Sequence, residues 1–297
     1  MIRRLNYCLL LFLWASNDAV GARPFLTGAA SLHLKIVGER LFPGGMFGVI
    51  IQCTKPIKHT EASFSGRKMI FYSGKDNQQC YGLAGIDLET KAGRYLIQGT
   101  LSFEDGQSQG FERPLQVLPK KFPVQRIRVD GKYVTLDSED SKRAEEETKR
   151  LESLWKIASP EKLWQGRFLK PIASDLSSGF GRRRIVNNQP RSPHSGIDLK
   201  AQVGTPIGAA NHGRVVLADD LFFSGKTVVL DHGLGLYTYY GHCSKLRVQE
   251  GEFVQKGHVI AEVGSTGRVT GPHLHWACRL NEARINPMEL TTYMLRD

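Results

Sequence analysis

The sequence of residues 264–275 is GSTGRVTGPHLH, a glycine-rich stretch that ends in His273 and His275. Glycine allows tight turns and close approach of another chain, so residues 264–271 predict a loop. The residues from His273 to Ala277 are typical of a strand. Because side chains two positions apart on a strand point to the same face, both imidazoles are expected on one side of a sheet.

The residues around this stretch predict an all-β region from Gly166 onward. Glycine and histidine become frequent there, and β-branched and aromatic runs alternate with turn residues. The predicted strands are 213–218, 226–231, 236–240, 258–263 and 273–277, with a turn at 231–235. We expect no helix of normal length among them.

Two other segments of this region add candidates for a functional site. His194 and Asp198 stand four positions apart, and the proline before them and the glycine between them argue against a helix. On an extended segment, even spacing again places both side chains on one side. His242 follows a tyrosine and a glycine at the end of a predicted strand.

Together these segments supply four histidines and one aspartate, which is enough for an open zinc site. Catalytic zinc takes three nitrogen or oxygen ligands and keeps a fourth position for water. Two histidines and one carboxylate form such a set, and Zn2+ then makes the water a nucleophile at neutral pH. The other two histidines would act as general base and acid or hydrogen-bond an oxyanion. Spacing alone does not assign the roles.

Seven short motifs follow one another between residues 180 and 287. They are Phe180-Gly181-Arg182-Arg183, His194-Ser195-Gly196-Ile197-Asp198, Gly204-Thr205-Pro206, Asp231-His232-Gly233, Tyr240-Gly241-His242, the stretch 264–275 and Ile285-Asn286-Pro287. In this order they resemble the lysostaphin/LytM-type zinc endopeptidases, which cut peptidoglycan peptides. The resemblance covers about residues 166–290.

The resemblance implies a C-terminal β-sheet metallopeptidase domain of LytM type over residues 166–297, with its site in an open groove. It implies that His194, Asp198 and His275 bind the zinc. It also implies that His242 and His273 are the catalytic pair that flanks the metal.

One feature of some family members is missing from this sequence. Those members place a tyrosine shortly before the first ligand to hydrogen-bond the oxyanion, whereas Asn187-Asn188-Gln189-Pro190 occupies that stretch here. The oxyanion donor is therefore open, and Arg183 is a candidate polar contact in the groove. A structural role is expected for the remaining histidines, which are His33, His59, His212, His232 and His258.

Residues 23–122 are predicted to form an N-terminal immunoglobulin-like β-sandwich. Short β-rich runs recur there between glycine, asparagine and aspartate residues. No acid pair, metal cluster or nucleophile motif accompanies them, so we expect this domain to position or bind rather than to catalyse.

Residues 123–165 are predicted to be a linker that contains a connecting helix at about 139–157. Acidic residues open that stretch, charges of both signs follow at helical spacing, and Leu151, Leu154 and Trp155 lie near its end. The pattern predicts a solvated helix that packs one apolar end on a domain.

The first residues predict export to the periplasm or the outside of the cell. Arg3 and Arg4 precede a short apolar run and small residues, which is the layout of a signal peptide. Cleavage after Ala22 is expected, and positions near Ala15 or Ala19 are alternatives. That run is too short for a membrane span, which needs ~20 residues. Four cysteines remain after such cleavage, and either disulfides or buried free thiols are compatible with them: Cys53, Cys80, Cys243 and Cys278.

The formal net charge of +11 suits an anionic partner such as a cell-wall polymer. Phosphate-binding, helical zincin and serine-hydrolase motifs are absent, and no aromatic-interleaved basic strand indicates nucleic acid. We therefore predict a zinc endopeptidase that acts on peptidoglycan peptides. The alternatives are a non-catalytic wall-binding or hydrolase-activating relative, and an enzyme kept latent by its N-terminal domain or helix. The oligomeric state stays open.

Overall fold

The computed structural model describes residues 30–127 and 138–293, apart from residues 39 and 187. The predicted signal peptide, residues 1–22, lies outside these ranges. Within them the chain is mainly β, as predicted, and has two helices. Neither of those helices is long and apolar enough to span a membrane.

The N-terminal part consists of two four-stranded antiparallel sheets. The first has the order β1 (Leu32–Val37), β2 (Met46–Cys53), β6 (Gln79–Gly85), β5 (Phe71–Ser73), and the second has the order β4 (Arg67–Met69), β3 (Ile57–Phe64), β7 (Gly93–Phe103), β8 (Ser108–Val117). Side chains of both sheets, among them Phe47, Ile51, Ile97 and Leu101, enclose one apolar core. This arrangement is a β-sandwich, and its immunoglobulin-like topology stays a prediction.

The segment between the sandwich and the C-terminal sheet carries a short strand and the long helix. Strand β9 (Val124–Ile127) pairs in parallel with β11 (Arg183–Val186), which pairs in turn with β12 (Gln189–Arg191). Helix α1 (Ser138–Lys156) has Glu139 and Asp140 in its first turn and Lys156 in its last, which complements the helix dipole.

A ten-stranded sheet forms the C-terminal part. Its main path runs β10 (Leu176–Ser178), β13 (Gly196–Lys200), β20 (His273–Leu280), β17 (Leu236–Leu246), β16 (Gly225–Asp231), β15 (Gly213–Leu221), β18 (Phe253–Val254). Three short strands complete it, with β14 (Pro206–Gly208) on β19 (Val259–Val263) and β21 (Ala283–Ile285) on β20. Helix α2 (Met288–Thr292) follows. The predicted all-β character of this region is confirmed, apart from that five-residue helix.

The two faces of this sheet have different neighbours. Exposure alternates strictly along β20, where Leu274 and Trp276 are fully buried in the main core. The side chains between them, His273 and His275, point to the opposite face and are half-buried. The sheet thus separates a closed apolar core from a face that presents polar groups.

Helix α1 packs on the polar-group face rather than on the main core. Its residues Leu151, Leu154 and Trp155 contact a small cluster that includes Val229 and Tyr237 of the sheet. The ring centroids of Trp155 and Tyr237 lie 5.4 Å apart at a steep angle. The predicted docking of the apolar end of the helix is therefore present in the structure.

The sandwich and the C-terminal sheet share part of one core. Met46, Leu83 and Leu88 of the N-terminal part belong to the buried cluster of the C-terminal part. At Gly85 a Cβ atom would lie 2.8 Å from the carbonyl oxygen of Leu280, so the close packing of the two backbones there requires glycine. The two parts are in direct contact.

All four described cysteines are buried free thiols. Burial raises the pKa of Cys80 to about 11 and that of Cys243 to about 12, so both are protonated at neutral pH. Of the two alternatives that the sequence left open, the structure has the unpaired one.

A buried ion pair joins the two parts. Asp87 accepts hydrogen bonds from the guanidinium of Arg284 at 2.7 and 3.0 Å and from its backbone N–H at 2.9 Å. Burial opposes ionisation of Asp87, but these hydrogen bonds outweigh it and lower the pKa to about 2. Since this pKa lies below the unfolded value of ~3.9, the pair stabilises fully above pH ~4. That contribution is lost as pH falls through the folded-state value.

We predict that Asp87→Asn lowers the free energy of unfolding at pH 7 by roughly 2 kcal/mol, since it removes the charge from a buried pair. Urea denaturation measures this loss, which should shrink as pH falls from about 4 toward 2. Glu89→Gln is the matched control, because Glu89 contacts the same arginine but its side chain is 62% exposed. Equal effects of the two substitutions would contradict the prediction.

Candidate metal centre

The antiparallel register of β13 and β20 places Asp198 close to His273 and His275. Asp198 lies directly opposite His275, and Lys200 lies opposite His273. Residues paired in this way share a face of the sheet, so the carboxylate and both imidazoles are on the face away from the main core. His194, which lies just before β13, completes the candidate metal-binding group with Asp198 and His275.

Three donor atoms meet at this point. His275 Nδ1 is 2.9 Å from Asp198 Oδ1, His194 Nε2 is 3.0 Å from the same oxygen, and the two nitrogens are 3.1 Å apart. His194 and Asp198 are each only 7% exposed. Zinc–ligand distances of about 2.0–2.1 Å and a tetrahedral angle place neighbouring donors about 3.3 Å apart, so the spacing fits one ion.

The protonation pattern of the group also favours a cation. The Nδ1–H group of His194 donates to the carbonyl oxygen of Gly179 at 3.1 Å, which leaves Nε2 of the neutral ring with a lone pair. That lone pair faces the Asp198 carboxylate, which is itself only an acceptor. Two acceptors at 3.0 Å require a cation between them: with a proton on Nε2 the contact is a hydrogen bond to the carboxylate, and with a metal ion both atoms are ligands.

The charge state of the group is that of a metal-binding set. Burial opposes ionisation of Asp198, but hydrogen bonds from His194 and His275 outweigh it and hold the pKa of the carboxyl well below its usual range. Burial lowers the pKa of His275, although its bond to Asp198 opposes this. A carboxylate and neutral imidazoles are the forms that bind metals.

His194 is fixed in place by the backbone around it. Its N–H donates to the carbonyl oxygen of Arg182 at 3.0 Å, and its own carbonyl oxygen accepts from the N–H of Gly181 at 2.8 Å. These two bonds form a short bridge between the segment before β11 and the segment before β13. His194 is therefore held by the backbone of Gly181 and Arg182, which lie 13 and 12 positions before it.

The remaining two candidates, His242 and His273, lie beside this group. Their ring centroids are 4.9 Å apart, and His273 Nε2 is 3.7 Å from Asp198 Oδ1. The Nδ1–H group of His242 donates to Thr266 O at 3.0 Å, and that of His273 donates to Gly271 O at 2.8 Å. In the neutral form of each ring, the lone pair is then on Nε2.

His242 has an unusual backbone. Its φ is +65°, in the left-handed region that residues with a Cβ rarely adopt. Its N–H donates to the carbonyl oxygen of Ser224 at 2.7 Å, which helps to hold this conformation. Burial, with a smaller contribution from His275, lowers the pKa of the imidazole to about 4, so the ring is neutral at pH 7. Such strain is common at functional sites.

All five predicted site residues thus come together, whereas Arg183 does not join them. Arg183 lies exposed on β11, where its N–H donates to the carbonyl oxygen of Pro123. No contact between its side chain and the five residues occurs in the described part of the chain. Its place in the groove stays a prediction.

His232 has the structural role that the sequence analysis expected. It is fully buried, its Nδ1–H donates to His212 O at 2.7 Å, and Nε2 accepts from Thr238 Oγ1 at 2.6 Å. Burial lowers its pKa to about 4. His33, His59 and His258 also lie outside the site group.

Two neighbours of the site were missed in the sequence analysis. Tyr239 lies on the same face of β17 as the site, and its ring centroid is 6.0 Å from that of His275. Thr266, in the glycine-rich loop, accepts a hydrogen bond from the Nδ1–H group of His242 through its carbonyl oxygen. Tyr239 stands two positions before Gly241, which pairs with His275, so strand alternation could have found it.

Comparison with known proteins assigns the part of the chain that carries the site to a protein family. The model of peptidase family M23 matches residues 192–287, which contain all five site residues. A solved structure from Pseudomonas aeruginosa, described as a peptidase M23, is similar with a TM-score of 0.67 and 30% identity, and the alignment covers 86% of this chain and 97% of that chain. The similarity to that structure therefore extends over the N-terminal part as well.

Curated relatives match over a shorter range. Peptidoglycan DD-endopeptidase ShyA of Vibrio cholerae is 38% identical over 115 residues, which are 38% of this chain and 27% of that protein. DD-carboxypeptidase/endopeptidase Mpg of Neisseria meningitidis is 39% identical over 119 residues, which are 40% of this chain and 27% of that protein. The chain spans about a quarter of the length of these two relatives.

We predict that the purified protein binds one Zn2+ per chain and that Asp198→Asn and His275→Ala each weaken binding at least about 100-fold, because each removes a donor from a three-donor set. Competition with a fluorescent chelator measures the affinity. His258→Ala is the control, since His258 is exposed and outside the group. Unchanged affinity in both site variants would contradict the prediction.

Proposed function

Because the chain belongs to peptidase family M23, we propose that it is a zinc-dependent endopeptidase that hydrolyses peptide cross-links of bacterial peptidoglycan. The observation that carries this proposal is the convergence of three donor atoms beside two further imidazoles. Two nitrogens and one carboxylate oxygen are ligands that zinc accepts, and three is the number of protein ligands in its catalytic sites.

In this proposal His194, Asp198 and His275 hold the metal. Bound zinc supplies a Lewis acid for the scissile carbonyl and lowers the pKa of water from 15.7 toward ~7. Two of the three favour the forms that this task requires, since the pKa of the Asp198 carboxyl is held well below its usual range and burial lowers the pKa of His275. Their burial also excludes bulk water from one side of the group.

His242 and His273 handle the proton and the developing charge. A neutral imidazole with a free Nε2 lone pair accepts a proton from the attacking water. The resulting imidazolium donates that proton to the leaving amine or hydrogen-bonds the oxyanion of the tetrahedral intermediate. Both rings are anchored through Nδ1 to backbone carbonyl oxygens, so Nε2 is the nitrogen that faces the reaction.

The substrate is proposed to be an anionic cell-wall peptide. His273 and His275 are half-buried, so an extended chain reaches them from one open side. An open depression of about 350 Å³ is lined by Lys200, Asp175 and Thr205 among others, and Lys200 pairs with His273 across β13 and β20. The net charge of +11 favours encounter with peptidoglycan, and the predicted signal peptide would take the protein to the envelope.

We predict that His242→Ala and His273→Ala each reduce turnover of cross-linked muropeptides about 10²–10⁴-fold, the usual contribution of a general acid or base. Zinc binding should remain, because neither residue belongs to the three-donor set. Mass spectrometry of digested peptidoglycan measures turnover, and a chelator should abolish it until zinc is added back.

His258→Ala serves again as the control and should retain wild-type turnover. A non-catalytic wall-binding protein is the alternative, and it would keep its biological activity when His242 is replaced. The presence of all five residues in one group supports the enzyme over that alternative. Unaltered muropeptides after incubation with zinc-loaded protein would refute the proposed activity.

A further inference from the structure

Helix α1 packs on the face of the sheet that carries the site, and Glu147 is one of the side chains that make the contact. Glu147 lies in the middle of this helix, and its Oε2 accepts a hydrogen bond of 2.7 Å from the backbone N–H of Phe222. Its other oxygen accepts from Arg143 Nε at 2.8 Å. Although the helix is strongly charged, the side chain of Glu147 is only 19% exposed. The carboxylate is therefore a partly buried acceptor in the interface of the helix with the sheet.

The bonded N–H belongs to the turn that joins β15 and β16, residues 222–224, which we call the 222–224 turn. Arg143 supports the end of β15 and the turn that follows it, since its guanidinium donates to Asp220 O at 2.9 Å and lies 5.9 Å from the ring centroid of Phe222. Glu147 and Arg143 thus clamp one side of the turn.

The other side of the 222–224 turn holds the backbone of a proposed catalytic residue. The carbonyl oxygen of Ser224 accepts the N–H of His242 at 2.7 Å. This bond helps to fix His242 in its left-handed conformation, which residues with a Cβ rarely adopt. A turn that moved would release that conformation and would rotate the imidazole away from His273.

The turn also fixes the loop that orients the same imidazole. Phe223 O accepts the N–H of Arg268 at 2.9 Å, and the two chains touch so closely that a Cβ at Gly225 would lie 2.2 Å from Thr266 Oγ1. Thr266 O is the acceptor of the His242 Nδ1–H group. Backbone and side chain of His242 therefore both depend on where the 222–224 turn lies.

We propose that Glu147 of helix α1 is a positioning residue for His242, acting through the 222–224 turn. The inference rests on the proposed function, because it takes His242 as part of the catalytic pair. It assigns to the connecting helix a task that its charge pattern did not indicate. Helix α1 thus holds the 222–224 turn in position, and the acceptor oxygen of Glu147 makes the hydrogen bond that does so.

The test compares three variants of the full-length, zinc-loaded protein. Glu147→Ala removes the acceptor, and we expect a roughly 10-fold to 100-fold fall in kcat with KM changed less than threefold, since small displacements of a catalytic group have effects of this size. Glu147→Gln keeps an oxygen acceptor and should restore most of kcat. Glu145→Ala is the matched control, because Glu145 pairs only with Lys149 among the described residues and its side chain is 66% exposed.

The readouts separate positioning from mere stability. Turnover is measured well below the melting temperature of every variant and referred to the folded fraction, and zinc affinity should match that of the wild type. If Glu147→Ala does not fold, Glu147→Met replaces it, since methionine has a similar length and no oxygen acceptor. Wild-type kcat in the acceptor-free variant, or equal losses in Glu147→Gln and Glu147→Ala, would overturn the inference. An inactive wild-type protein would refute the proposed function instead.

Discussion

The pairing of Asp198 with His275 across β13 and β20 is the constraint on which the site depends. A one-residue slip of this register would move every side chain of one strand to the other face of the sheet. Ile197, Leu199, Leu274 and Trp276 prevent such a slip, because each of them is at most 2% exposed in the core below. The apolar face of these strands thus sets the position of the polar face.

The site contains groups that are costly to bury or to hold in their conformation, and the backbone around them holds them in place. Asp198, His194 and His242 are buried polar groups, and the backbone of His242 is strained. Such groups persist only where the surroundings over-determine them. Here backbone carbonyl oxygens of Gly179, Thr266 and Ser224 perform that task, and each belongs to a segment that is itself held by neighbouring chain.

The sequence predicts the five residues of the site but not the residues that hold them in position. Strand alternation places His273 and His275 on one face, and the motif order relates them to His194 and Asp198. The β-rich runs between turn residues and the charge pattern of the helix also made the strands and the helix accessible. Glu147 was not, because its bond to Phe222 joins residues 75 positions apart and a charge run gives no sign of which carboxylate is buried. Arg183 lies exposed on β11, the middle strand of the sheet β12-β11-β9, and its contact with the groove stays a prediction.

Anomalous diffraction at the zinc edge from crystals of the full-length, zinc-loaded protein tests the central claim most directly. The account predicts one strong peak per chain, within about 2.0–2.2 Å of His194 Nε2, Asp198 Oδ1 and His275 Nδ1. A peak held by other residues, or no peak among these three atoms while zinc is present in the crystal, would contradict it.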